Sequence, residues 1–471
     1  MDTCTLRRAF LKRSLMLAAL AANGLPLGTV RAAPGDIALS NRVLVNVMLN
    51  GGPDMRHLLM PPWSATTGSY GHEFWRLRAN VQASADTPVA LEARWHDAYL
   101  PVSDGALEFG ILREAGWLHT MWNAGKLAVV CGVESSPSRD HDLAVRTREM
   151  GNRRARKDTL GSGWGGRLAF AAGGNAVALT KTPRRFAFGP DPTLPTDLAR
   201  VDNRRLVAAG DMREMALAAP APDSNFRSTS DRLKRALENY YGARRASVDA
   251  RSVYAQYFDH ERMLRELGGA IDARLADVPV PTTLEALFGD RRGTRYNLAL
   301  QTRNLYDALV CNDLLALRVA SMEYNVWDTH SNQAANFAAH SSVLFGATGA
   351  LATLWSELPD AARARLVFVI GGEFGRQLAA NGGGGTEHGE GTSMLVIGDA
   401  VAGGVYGTMF PDEEIARFRQ DSADIIGVNA IDHVFGRIAE WVAPGSKPLV
   451  FPDFASAPLQ SGLSLDGLLL G

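Results

Sequence analysis

Five short runs of almost unbroken apolar residues constrain this chain more than anything else in it. They read RVLVNVMLN (42–50), KLAVVCGV (126–133), LRVASMEY (317–324), RLVFVIGG (365–372) and SMLVIGD (393–399). A strand with one wet face alternates apolar and polar residues, so a run that is apolar throughout suits a sheet covered on both faces. Helical patterns lie between the runs. One is near 112–124, with Trp117, Leu118, Met121 and Trp122 on a shared face; others span roughly 333–357 and 424–442. This alternation predicts an α/β fold, with a mostly parallel sheet flanked by helices. The stretch from about 190 to 315 is charged, helical in pattern and poor in strand signals. It is expected to form a helical insertion packed on the sheet, approached through APAPDSNFRSTS (219–230), within one domain spanning 34–471.

The amino terminus is of a different kind. MDTCTLRRAFLKRS runs into LMLAALAANGLPLGTV, the charged start and short apolar segment of a secretory signal. The apolar part falls short of the roughly 20 residues a membrane span requires and contains Gly24, Pro26 and Gly28. Arg7 and Arg8, followed by Ala9, Phe10, Leu11 and Lys12, resemble the twin-arginine export consensus. The expectation is a signal peptide over 1–33, cleaved after Ala32 or Ala33. It would engage the twin-arginine translocation machinery and deliver a folded protein to the periplasm or the medium. No later run reads as long and apolar enough to span a membrane, so no permanent membrane anchor is expected. A formal net charge of −1 supplies no field to gather nucleic acid, which excludes that partner. Of three cysteines, Cys4 leaves with the signal; Cys131 and Cys311 sit in apolar surroundings as expected buried thiols, with a bridge between them left open.

Acids and histidines collect where strands end. Asp54 closes a glycine turn after the first run. Asp328 and His330 lie in VWDTHSNQ after the third, Glu373 and Arg376 follow the fourth, and Glu387 and His388 occupy the glycine-rich NGGGGTEHGEG before the fifth. In open α/β sheets, sites form at the carboxyl ends of strands, so residues far apart in sequence can converge there. Two Asp, one or two Glu and two His form a donor set for Zn, Mn or Mg. Each residue also has a plain structural reading: Asp54 as a cap, Asp328 with His330 as a loop pair, Glu373 paired to Arg376, His388 solvated. A second informative place is GVESSPSRDHDLAVRTREMG (132–151), where a strand runs into a helix whose free N–H groups favour an anion. Ser135, Ser136, Ser138, Asp140 and His141 are available there for attack on a phosphorus or sulfur centre. The structural alternative has Ser138 as N-cap and His141 packing one turn later. His57, His141 and His433 receive no definite role; His72, His96, His119, His260 and His340 are read as structural or surface residues.

Taken in order, RRAFLK, GGPD, SPSRDHD, GWGGRLA, WDTHSNQ, GEFGRQ and TEHGEG resemble the bacterial domain-of-unknown-function 1501 proteins along essentially the whole chain. That resemblance implies twin-arginine export and a distant relationship to alkaline phosphatases and sulfatases. It therefore implies an alkaline-phosphatase-like fold and a divalent metal. On the same basis Asp328, His330 and His388 would form one metal site, and Asp54 and Glu373 would hold a second with the nucleophile. Asp140 stands where family members carry a hydroxyl, with Ser138 as a substitute, and Arg376 would stabilise oxygen charge. Phe374 occupies the place beside Glu373 where the wider superfamily often has a histidine. The implied function is an exported metal-dependent hydrolase of phosphate or sulfate esters, with a small anionic ester as substrate. A carbohydrate-active or lipid-head-group enzyme on the same fold is indistinguishable from it in sequence. The alternative is a divergent, non-catalytic binding or assembly protein that keeps the fold and one metal. Asp140 favours it, because a carboxylate there would repel an anionic ester.

Overall fold

The computed structural model describes residues 42–470, except 152–160, 181, 204, 215–228, 250–252, 290–292, 419 and 421. The signal-peptide reading of 1–33 and most of the 219–230 approach lie outside the described residues.

A central sheet organises the chain. Its strands are β1 (Val43–Asn50), β2 (Leu127–Glu134), β3 (Asn175–Ala178), β4 (Leu206–Ala208), β5 (Leu317–Asn325), β6 (Leu366–Gly371), β7 (Gly391–Ile397), β8 (Gly404–Tyr406) and the short β9 (Asn429–Ala430). They lie in the order β8-β2-β7-β6-β1-β5-β3-β4, with β9 also on β2. The pairings β1–β5, β1–β6, β5–β3, β3–β4, β8–β2 and β9–β2 are parallel; β7 runs against both its neighbours. The fold is thus α/β with a mixed, mostly parallel sheet.

Successive residues of each apolar run enter different cores. Val43, Val45, Val47 and Leu49 of β1 join one buried cluster while Leu44 joins the other; Leu366, Phe368 and Ile370 of β6 oppose Val367 and Val369 in the same way. Burial on both faces is why these strands read as unbroken apolar runs. One face is covered by α1 (Gly116–Asn123), α7 (Gln333–Phe345) and α8 (Ala350–Glu357), the other by α3 (Trp164–Ala171) and α9 (Ile431–Val442). Between α1 and α3 lies α2 (His141–Met150); α4 (Thr229–Ser247), α5 (Val253–Ala276) and α6 (Gly293–Val310) precede β5.

Four local features depart from the sequence reading. The stretch read as helical from about 190 contains the sheet strand β4, and its first α-helix among the described residues begins at Thr229. The helix expected over 333–357 is two, separated at Gly346–Gly349. Gln333–Glu357 also has the length and the mean hydropathy, 1.3, to cross a membrane, contrary to the expectation that no later segment does; 61% of that window is buried inside the protein, as for a core helix. A small antiparallel sheet of Leu59–Met60, Tyr99–Asp104 and Leu107–Leu112 lies outside the predicted strands. Cys131 and Cys311 are both buried free thiols, and burial raises each to about 11.

Candidate metal centre

The reversed direction of β7 positions the site. β1, β2, β5 and β6 end at one edge of the sheet, and because β7 runs the other way its amino-terminal loop, with Glu387 and His388, arrives at that same edge. A two-residue ladder of Gly375–Arg376 against His388–Gly389 sets His388 directly opposite Arg376.

Close backbone approach makes the rest possible. Gly51 and Gly52 both have positive φ, +114° and +63°. A Cβ on Gly51 would stand 2.3 Å from the Asp328 nitrogen, and one on Gly52 would stand 2.2 Å from the Phe374 ring. Only glycine lets the β1 turn lie against the β5 and β6 turns. Arg376, fully buried, ties these turns together. Its Nε donates to the Gly52 carbonyl at 2.6 Å and its Nη1 to that of Thr386 at 2.7 Å. Its Nη2 donates to the carbonyls of Gly51 and Trp327 and, at 2.7 Å, to Asp328 Oδ1. The guanidinium is therefore occupied by protein acceptors.

Three imidazoles converge on Asp328. His388 Nε2 lies 3.1 Å and His330 Nε2 3.0 Å from Asp328 Oδ1, and His141 Nε2 lies 3.4 Å from Oδ2. The other nitrogen of each ring faces an acceptor: His141 Nδ1 meets Glu373 Oε1 at 2.7 Å, His330 Nδ1 meets Glu387 Oε2 at 3.0 Å, and His388 Nδ1 meets the Arg139 carbonyl at 2.9 Å. If each Nδ1 donates its proton to that acceptor, each Nε2 is left to present a lone pair inward, in place of the His388 Nε2 hydrogen bond to Asp328 Oδ1. Metal-binding histidines are held in the same way. Phe374 packs on two of the rings, 4.9 Å from His141 and 4.5 Å from His388.

Burial acts to raise Asp328, but the hydrogen bonds from Arg376 and His388 outweigh it and hold the carboxyl at about 2. The Glu373 hydrogen bond holds His141 above its ordinary value, against the effect of burial. His141 Nε2 is buried and makes no hydrogen bond. His330 Nε2 and His388 Nε2 stand 3.0 Å apart. Two nitrogens bound about 2.0–2.1 Å from one ion stand roughly 3.0–3.4 Å apart, so the spacing fits shared coordination. Among the described residues, His141, Asp328 and His388 form the one group of three or more such side chains close enough to hold an ion.

The other predicted residues are placed differently. Asp54 is fully buried: Oδ1 caps a helical turn by accepting from the Arg56 and His57 amides, and Oδ2 meets Arg78 and, at 2.7 Å, Gln333 Nε2. Burial acts to raise its carboxyl, and Arg78 and His57 overcome that and keep it low. Gln333 also accepts from Thr329 and Thr386, so Asp54 braces the loops beneath Asp328 and His388. Glu373 accepts from the Gly51 and Gly52 amides as well as meeting His141, a position that orients the His141 ring. Asp140, exposed, is the N-cap of α2 through the Leu143 amide, the role the sequence suggested for Ser138, and Ser138 Oγ accepts from the Asp140 amide. His141, to which sequence gave no definite role, faces the same carboxylate as His330 and His388; the signal was its place just past the end of β2.

Residues 314–413 match the family model described as a protein of unknown function (DUF1501). The DUF1501 segment runs from the approach to β5 through β8 and carries Asp328, His330, Glu373, Arg376, Glu387 and His388; His141 and Asp54 lie outside it. No curated protein matches the chain, and no solved structure does.

Beside the loops that carry Asp328 and Glu373 opens a cavity of about 880 Å³, lined by His141, Asp328 and Glu373 and by residues of α2 and the 182–188 loop. Glu149, on its wall, is 5% exposed. Burial raises its carboxyl to about 7, with Glu323 adding to the rise and Arg184, Arg148 and Arg185 opposing it. The unfolded chain thus releases this proton near the ordinary carboxyl value, while the native state keeps it until about pH 7. Stability is lost as pH rises through that window. Glu149→Gln should therefore raise the midpoint of thermal unfolding at pH 8, by about 2–3 kcal/mol in stability, and change little at pH 4. An equal effect at both pH values would count against this.

Proposed function

We propose that this protein is an exported, metal-dependent hydrolase of phosphate or sulfate esters, built on an alkaline-phosphatase-like fold, with the metal held by His141, His330, His388 and Asp328. The observation that carries the reading is the convergence of three imidazole Nε2 atoms, each with its Nδ1 anchored, on one ionised carboxylate. A donor set rich in imidazole suits zinc or manganese better than magnesium, which prefers oxygen. A metal bound there would polarise an ester oxygen and acidify a water. The chain's own residues orient and support: Glu373, Glu387 and the Arg139 carbonyl fix the rings, Arg376 fixes Asp328, and Phe374 walls the rings from one side.

A second reading, a metal-holding binding or assembly protein, draws on Asp140. Its carboxylate caps α2, and no hydroxyl has a hydrogen bond to the ligand cluster among the described residues. Turnover of 4-nitrophenyl phosphate and 4-nitrophenyl sulfate by the metal-loaded mature protein separates the two. Asp140→Ser keeps a capping side chain and restores the family's usual hydroxyl. The hydrolase reading expects metal-dependent turnover, weak in the wild type and raised in Asp140→Ser. Stoichiometric metal with no turnover in either form would favour the binding protein.

A further inference from the structure

The cavity beside the ligand cluster is too large for a phosphate or sulfate group alone. Its walls bear three arginines, and two of them are engaged. Arg184 pairs with Glu323 through Nε at 2.5 Å and reaches Glu149 at 3.8 Å. Arg185 donates to the Gly161 carbonyl and lies over the Phe188 ring. Arg146 differs: it is half-buried, lines the cavity, and has no hydrogen-bond or ion-pair partner among the described residues. Asp142, one helical turn before it, is exposed and makes no ion pair with it. Arg146 is on the same helix as His141, five residues on, which is about 7–8 Å along the axis. Val145, Phe188 and Trp327 also line the cavity and supply its apolar surface.

We propose that Arg146 is a specificity residue, and that the substrate is an ester whose leaving group carries its own acidic group. The ester anion would sit at the ligand cluster, the apolar part of the leaving group along that apolar surface, and the second acid on the Arg146 guanidinium. This rests on the hydrolase reading of the same site. A guanidinium without a protein partner at a half-buried wall loses little by turning to a ligand, and its planar fork suits carboxylate or phosphate alike.

The test uses two non-hydrolysable probes, phenylphosphonate and 4-phosphonobenzoate, which differ only by a carboxylate. Their affinities for the metal-loaded mature protein are measured by titration calorimetry. The wild type should bind 4-phosphonobenzoate about tenfold more tightly, in line with one charge-assisted contact. Arg146→Gln should abolish that preference while leaving phenylphosphonate affinity unchanged, and Arg146→Lys should keep part of it. Equal binding of the two probes by the wild type, or a preference that survives Arg146→Gln, overturns the Arg146 assignment and leaves the hydrolase reading standing. If neither probe binds, both fall.

Discussion

Asp328→Ala should empty the metal centre. Among the described residues Asp328 is the one carboxylate that all three imidazoles approach, and its carboxyl is held at about 2. Its loss removes a ligand and the charge that offsets a divalent ion, so affinity should fall by more than about a hundredfold. Elemental analysis of purified protein should drop from near one metal per chain to a small fraction. The fold should persist, because Arg376 keeps its bonds to the carbonyls of Gly51, Gly52, Trp327 and Thr386. His388→Ala should also lose most of the metal. Glu373→Gln should weaken binding only by about 10–100-fold, as for a carboxylate that orients a ligand. Full metal content in Asp328→Ala would reject the assignment of the centre. Equal losses in Glu373→Gln and Asp328→Ala would place Glu373 among the ligands.

Arg78→Met should be the most damaging change to stability. Arg78 and Asp54 are both fully buried; the guanidinium meets Asp54 and donates to the Leu378 and Gln377 carbonyls. Removing it leaves a buried carboxylate whose remaining donors are two backbone amides and Gln333. Breaking one side of a buried pair typically costs about 3–5 kcal/mol. Chemical denaturation should show a loss of that size. Asp54→Asn combined with Arg78→Met should recover much of it, since Asn keeps a capping oxygen without the charge. A double variant no more stable than Arg78→Met would mean that the packing of Arg78 on Phe74, 4.8 Å away, matters more than its charge.

The strands that build the sheet were legible because burial on both faces writes an unbroken apolar run, as in β1 and β6. β4 was hidden: at three residues, and only partly buried, it carries no such run. The convergence of Asp328, His330 and His388 could be anticipated from strand ends alone. Asp54 could not be read correctly, because what decides its role is Arg78, 24 residues away, and Gln333, 279 residues away. Arg376 read in sequence as a partner of Glu373 or of a substrate oxygen, whereas its partners are Asp328 and carbonyls from three other turns. His141 was obscured by its neighbours: Ser138 and Asp140 compete for the same cap, and nothing local distinguishes a ring packed on a helix from one aimed across the sheet edge.

The proposed ligands, residues 141, 328, 330 and 388, come together only when the reversed strand β7 is docked between β2 and β6. An ion with that coordination has no purchase on a chain whose sheet is unfinished. Its effect should therefore appear late, as slower unfolding, with the early phases of refolding unchanged by added metal.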